Sequence, residues 1–167
     1  MEPRPRIDDA APDEAREILR RSCGSELWVE RMMDKRPFGS RDALLAAARE
    51  EWFALSETDW RQAFSHHPKI GDREALRDRF GATRDLSQQE QIGVTGASDE
   101  ILDALAKGNR EYLDRFGYIF IVCATGLSAE EMLALLHARL GNDRDTEIRV
   151  AAEEHARITE IRLRNNA

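Results

Sequence analysis

The stretch Tyr118-Ile119-Phe120-Ile121-Val122-Cys123 decides how this chain is read. It is an unbroken run of aromatic and β-branched residues closing on a cysteine, bounded by Gly117 and Gly126, and it is the one strand-like piece in the sequence. A lone strand has no partner for its backbone N–H and C=O groups. The piece is therefore either a buried extended segment or a continuation of helix, and periodicity allows both. Everything around it carries helix signals. The expected fold is all-α: a single-domain helical bundle of about eight helices with one short extended buried segment.

Working outward, Ser98 caps a long helix to Arg115 that carries Ile101, Leu102, Leu105, Tyr112 and Leu113. On the other side, Ser128-Ala129-Glu130-Glu131 has the form of a capping box for a helix ending at Gly141, and Asp145 or Thr146 opens the last helix. Towards the N-terminus, Asp13 to Ser22 spaces Ala15, Ile18 and Leu19 helically, and Gly24 punctuates it. Ser25 caps a helix with Leu27, Trp28 and Met32 that stops before Pro37. Ser40 opens another, Arg41 to Leu55, with Leu44, Leu45, Trp52 and Phe53 inward. Ser56 starts a short one with Trp60 and Phe64 on one side. Residues 1–10, with Pro3 and Pro5, read as a flexible polar leader to one domain spanning 1–167. The chain breaks at Ser65-His66-His67-Pro68-Lys69-Ile70-Gly71. Asp72 to Leu86 reads as a charged, mobile connector, and Ser87-Gln88-Gln89-Glu90 as a second capping box, with Gly93 and Gly96 interrupting its helix.

The 167 residues fit one domain with a substantial core, and 41% are hydrophobic. Lys+Arg 25 against Asp+Glu 32 leaves a net charge of −7, which argues against nucleic acid and anionic membranes as partners. Cys23 and Cys123 form no CxxC pair, so a reducing compartment with two buried thiols is expected. No apolar run approaches the ~20 residues that span a bilayer, and neither a signal peptide nor a C-terminal Ser-Lys-Leu occurs. The expected location is cytoplasmic.

Phosphate-cradling Gly loops, paired-Cys zinc patterns and HExxH are missing, so no metal site is expected. His137 and His155 stand alone on amphipathic helices and read as surface or satisfied histidines, and Cys123 as an inert thiol. The vicinal His66-His67 point to opposite faces of an extended chain. Pro68 stiffens His67, which makes His67 a candidate general acid/base, since its ordinary pKa lies near 6.5. Glu90 either reaches back to the Ser87 amide as a cap, or projects with Gln91 into a cleft to orient an imidazole and hold a polar ring. On the last helix Ile148, Ala151, His155, Ile158 and Arg162 fall within one ~80° stripe. Arg162 on that stripe either snorkels to solvent or clamps an anion.

Taken in order, the quoted residues resemble one family. They are Cys23-Gly24-Ser25-x-x-Trp28-Val29, Arg36-Pro37-Phe38, Phe64-x-x-His67-Pro68-x-Ile70-Gly71, Ser87-x-x-Glu90-Gln91, Asn109-x-x-Tyr112, Phe116-Gly117-Tyr118-x-Phe120-Ile121-Val122-Cys123-Ala124, Arg139-Leu140-Gly141-Asn142 and Glu154-x-x-x-Ile158-Thr159-x-x-Arg162-Leu163. The pattern is similar to 2-oxo-4-hydroxy-4-carboxy-5-ureidoimidazoline (OHCU) decarboxylase in its bacterial form, which completes the oxidation of urate to allantoin. The resemblance implies an all-helical, cofactor-independent homodimer that decarboxylates a small-molecule substrate to S-allantoin. It implies His67 and Glu90 as catalytic residues. It implies Pro68, Ser87, Gln88, Gln89, Gln91 and Arg162 as substrate-binding, with the backbone of Ile121, Val122, Cys123 and Ala124 holding the ring. The competing expectations are a non-catalytic helical interaction module and a paralogue acting on a related ureido ring acid.

Overall fold

A computed structural model describes residues 3–67 and 98–167. Among them are eight helices: α1 (Arg6–Asp9), α2 (Pro12–Ser22), α3 (Glu26–Lys35), α4 (Arg41–Phe53), α5 (Glu57–Ser65), α6 (Asp99–Phe116), α7 (Ala129–Leu140) and α8 (Arg144–Asn166). No strand occurs among the described residues. The fold is all-α. Five helices begin at the serines that the sequence marks: the side chains of Ser25, Ser40, Ser56, Ser98 and Ser128 each accept the backbone N–H three residues on. Each such cap contributes about 1 kcal/mol. At α5 the box is complete, because the Asp59 carboxylate also takes the Ser56 N–H.

Chain contacts divide the protein into two compact units. The first comprises the chain up to His67 together with Ile121–Cys123 and Ile148–Ala167. Its core holds Ile7, Leu19, Trp28, Met32, Leu44, Trp52 and Phe64, all essentially inaccessible. Buried tryptophans need a partner for their one polar atom, and here those partners cross helices. The Trp28 indole N–H donates to Ala48 O at 3.0 Å, joining α3 to α4. The Trp52 indole donates to Ala152 O at 2.9 Å, joining α4 to α8. Trp60 donates to Trp52 O at 2.9 Å, joining α5 to α4.

The second unit comprises Pro68–Phe120 and Ala124–Glu147. α6 packs on α7 where Gly108 leaves room for Leu136; a Cβ at Gly108 would stand 2.5 Å from Leu136 Cδ2. Glu147 opens α8 wholly buried, and its carboxylate accepts from Arg139 Nε and Nη2, from Asn142 Nδ2 at 3.1 Å and from the Tyr112 hydroxyl at 2.5 Å. Burial opposes the Arg139 charge, but the Glu147 carboxylate and the Tyr112 hydroxyl outweigh it and raise the guanidinium above its ordinary pKa. The same guanidinium lies 4.5 Å over the Phe120 ring. Gly117, at φ 83°, ends α6 in the left-handed conformation that glycine takes without strain. Residues 119–124 then run without helix or strand, which excludes a continuation of helix; of Tyr118–Cys123 only Tyr118 and Ile121 are buried, and the other four are half-buried.

Four expectations need correction. The leader over residues 1–10 carries α1, whose Ile7 is fully buried and whose N–H donates to Ala167 O at 3.2 Å. Phe53 faces outward at 37% exposure, and Leu55, just beyond α4, takes the inward place. The last helix begins earlier than Asp145, because Asp143 Oδ1 accepts the Thr146 N–H at 2.7 Å and nucleates the first turn. Only one thiol is buried: Cys23 is, whereas Cys123 is half-exposed.

Candidate active site

The site is built in the first unit, around the C-terminal end of α5. His67 lies just past the cap of that helix, and its N–H donates to Phe64 O at 3.2 Å. The preceding residue seats the turn. A Cβ on Gly24 would fall 2.7 Å from Cβ and Cγ of His66, so the α2–α3 junction receives His66 only because it has no side chain there. With His66 docked, the adjacent imidazole is directed at α8. The His67 ring stands edge-on to His155, centroids 4.8 Å apart and planes at 89°. His155 in turn lies flat on Trp52, at 4.3 Å and 15°. Its Nδ1 is 3.3 Å from Thr159 Oγ1, and its Nε2 has no hydrogen-bond partner among the described residues.

Burial dominates the electrostatics. It lowers the His67 pKa from 6.5 to about 4, with the charges of Arg162 and His66 acting in the same direction. The carbonyls ending α5 favour an imidazolium by typically 0.3–1 kcal/mol, which is too little to reverse this. His155 is held well below its ordinary value by burial, then by His67 and Arg162. Both imidazoles are therefore neutral at neutral pH. Burial pushes the Cys23 thiol up to about 12, so it supplies no anion. Burial also lowers the Arg162 pKa, but an arginine starts so high that it stays charged. Arg162 is half-buried, and its Nη1 donates to Arg21 O at 3.4 Å. No carboxylate pairs with it among the described residues, in contrast to Arg49, which Glu153 holds at 2.9 Å. A neutral base and a cation without a carboxylate partner among the described residues thus share one unit: an arrangement suited to an anionic ligand that must lose or gain a proton.

Of the residues expected at the site, His67 and Arg162 come together, and Ile121, Val122 and Cys123 fall in the same unit, Ile121 buried and the other two half-buried. Ala124 falls in the other unit, where its carbonyl accepts the Leu127 N–H at 3.1 Å. Pro68, Ser87, Gln88, Gln89, Glu90 and Gln91 lie outside the described residues. His137 is exposed, as the sequence suggests. His155, which the sequence suggests is a surface or satisfied histidine, is fully buried, with Nε2 unpartnered among the described residues. The available signal was its place on the stripe of α8 that also carries Arg162. A groove of about 280 Å³ between α4 and α8 is lined by Asp42, Arg49, Trp52, Thr159, Glu160 and Arg164, and neither His67 nor Arg162 borders it.

The helical fold and the imidazole–guanidinium site describe a small all-α protein equipped for acid–base chemistry on an anion. The sequence model of the OHCU decarboxylase family matches residues 8–164, and the chain belongs to that family. It is 38% identical over 144 residues to the uric acid degradation bifunctional protein of Arabidopsis thaliana; this covers 84% of the chain but 44% of that protein, so the chain spans less than half of its length. It is 28% identical over 157 residues to the OHCU decarboxylase of Haloferax volcanii, covering 93% and 88% of the two chains. A solved OHCU decarboxylase, crystallised in the presence of (S)-allantoin, superposes with a TM-score of 0.73 at 31% identity, over 93% of this chain and 97% of the other.

Proposed function

We propose that this chain decarboxylates OHCU to (S)-allantoin in urate degradation, acting as one domain over its length. The family match over 8–164, which runs through both compact units, supports that extent. One observation carries the mechanism: burial keeps His67 uncharged beside the Arg162 guanidinium, which pairs with no carboxylate among the described residues. Arg162 binds the anionic or carbonyl edge of the substrate. The bond to the carboxylate breaks and CO2 leaves; the electron pair forms a ring C=C while the nitrogen of the adjacent C=N takes a proton from solvent, so the substrate supplies its own electron sink. His67 takes the hydroxyl proton as the carbonyl forms, and a proton returns to the neighbouring ring carbon on one face, fixing the S configuration. Proton transfer of this kind contributes typically 10²–10⁴-fold, and it needs a base that starts neutral. Glu90 orients His67 or the substrate hydroxyl, while Gln91 and the 121–124 backbone bind the ureido and ring amides. Pro68, Ser87, Gln88 and Gln89 border the ligand.

A homodimer in the cytoplasm completes this reading, on the strength of the family resemblance. Two free cysteines suit a reducing compartment, and among the described residues no helix is long and apolar enough to cross a membrane. The deciding experiment follows the circular dichroism of product formed from freshly prepared OHCU. Enantiopure S-allantoin from the unaltered protein, with the blank rate and a racemate from a folded His67→Asn variant, is the expected result. A racemate at the blank rate from the unaltered protein removes the assignment. Light scattering that returns a single-chain mass removes the dimer alone.

A further inference from the structure

We propose that His155 is a positioning residue for this reaction: clamped between Trp52 and Thr159, its ring holds the His67 imidazole in one orientation and keeps water from it. The inference rests on the reading that His67 moves the proton. The geometry is specific. His155 is fully buried, stacked on Trp52 at 4.3 Å, with Phe64 at 5.7 Å. Trp52 is itself fixed, since its indole N–H is bound to Ala152 O one turn before His155 on α8. The clamp therefore cannot rotate without breaking a buried hydrogen bond. Against it the His67 ring stands perpendicular at 4.8 Å, a contact that a turned His67 ring would lose.

Filling space does not require a histidine here. A purely apolar side chain would occupy the slot without a buried Nε2 that lacks a partner among the described residues. The imidazole brings two things an aliphatic residue would not: a flat ring that stacks on Trp52 and presents its plane or edge to His67, and an Nδ1 tied to Thr159 that fixes ring rotation. Among the described residues, the titratable and charged groups facing His67 are His66 on its own turn, His155 and Arg162 on α8, and Cys23 at the end of α2 beside Arg162. Arg162 is charged at neutral pH, whereas burial holds His155 neutral there. Removing His155 therefore changes solvation and orientation at His67 without removing a charge.

The test combines NMR titration of the histidine rings with steady-state kinetics on OHCU for the unaltered chain, His155→Ala and His155→Phe. In the unaltered protein His155 stays neutral throughout the pH range from 5 to 8, and ring-to-ring cross-relaxation links it to His67. His155→Ala admits water, so the His67 midpoint moves up by about one unit or more and kcat falls about tenfold with little change in KM. His155→Phe, which keeps the ring and the stack but not the contact with Thr159, returns the His67 midpoint and part of kcat. A folded His155→Ala with an unmoved His67 midpoint and unchanged kcat overturns the proposal, as does a phenylalanine variant no better than alanine. Should the alanine variant not fold, an ordinary titration of His155 near 6.5 in the unaltered protein overturns it alone. Absence of OHCU turnover in every form would count against the decarboxylase reading instead, and the titrations would still decide the role of His155.

Discussion

At the scale of single residues, the proposed chemistry turns on how dry His67 is. Burial lowers its pKa from 6.5 to about 4, so the neutral ring that accepts a proton is present across the physiological range. The expected kcat/KM profile of the free enzyme has its acidic limb at about 4, not near 6.5, and is flat with respect to this group above pH ~5. A rate profile that falls between pH 7 and 6 would contradict this. Gly24 gives a second expectation. A methyl group there meets Cβ and Cγ of His66 at 2.7 Å, so Gly24→Ala must displace His66 and with it the neighbouring His67. The overpacking costs about 1–3 kcal/mol by denaturant titration, and turnover should fall further than stability does. The role of His67 as a candidate was readable from its stiff, proline-adjacent turn. That of His155 was not, because its meaning lies in Trp52 across the core, about a hundred positions away in sequence.

At the scale of elements, α8 joins two different kinds of burial. Its first turn holds Glu147 in a dry ionic cluster with Arg139, Tyr112 and Asn142, and its later turns hold His155, Thr159 and Arg162. Removing one partner of such a cluster leaves the other charge buried and unanswered. Glu147→Gln should therefore cost about 3–5 kcal/mol of stability, and Tyr112→Phe only about 1–2. Equal losses from the two, measured by chemical denaturation, would show that the carboxylate is satisfied otherwise. Helix starts were legible because serine caps act within one turn: Ser25, Ser40, Ser56, Ser98 and Ser128 all do so. α1 was not legible, because its Ile7 is held by Ala167, a partner no local pattern discloses. The run Tyr118–Cys123 allowed two readings, and the left-handed Gly117 decided between them by ending α6 before it. The Arg139–Asn142 motif was visible as a motif, yet its carboxylate partner Glu147 went unremarked.

At the scale of the whole molecule, stability should depend on pH through its buried imidazoles. Both His67 and His155 have folded-state pKa values below the unfolded 6.5. Between about pH 4 and 6.5 the unfolded chain therefore binds more protons than the folded one, and stability rises with pH across that window. It should be complete above about 6.5 and be lost progressively on acidification. Melting temperatures between pH 4.5 and 7.5 check this, and a flat dependence would show that both rings are wetter than the structure has them. The all-α class was evident from helix signals surrounding a single apolar run, and the family from motif order along nearly the full chain. What single-residue patterns could not supply was which side chains share a unit, since that depends on partners distant in sequence.

The bond from Ile7 N–H to Ala167 O has an engineering consequence. It places Ile7 of α1 beside the last residue, Ala167, so a short run of glycines and serines could close the chain into a ring. New ends could then be opened at the exposed Gly126 turn, whose φ of 80° marks a loop tip with nothing packed against it. Such a circular permutant would retain every helix while freeing the backbone beyond Ala124. It would thereby ask whether that strap must be tethered on both sides for the proposed selectivity between product faces.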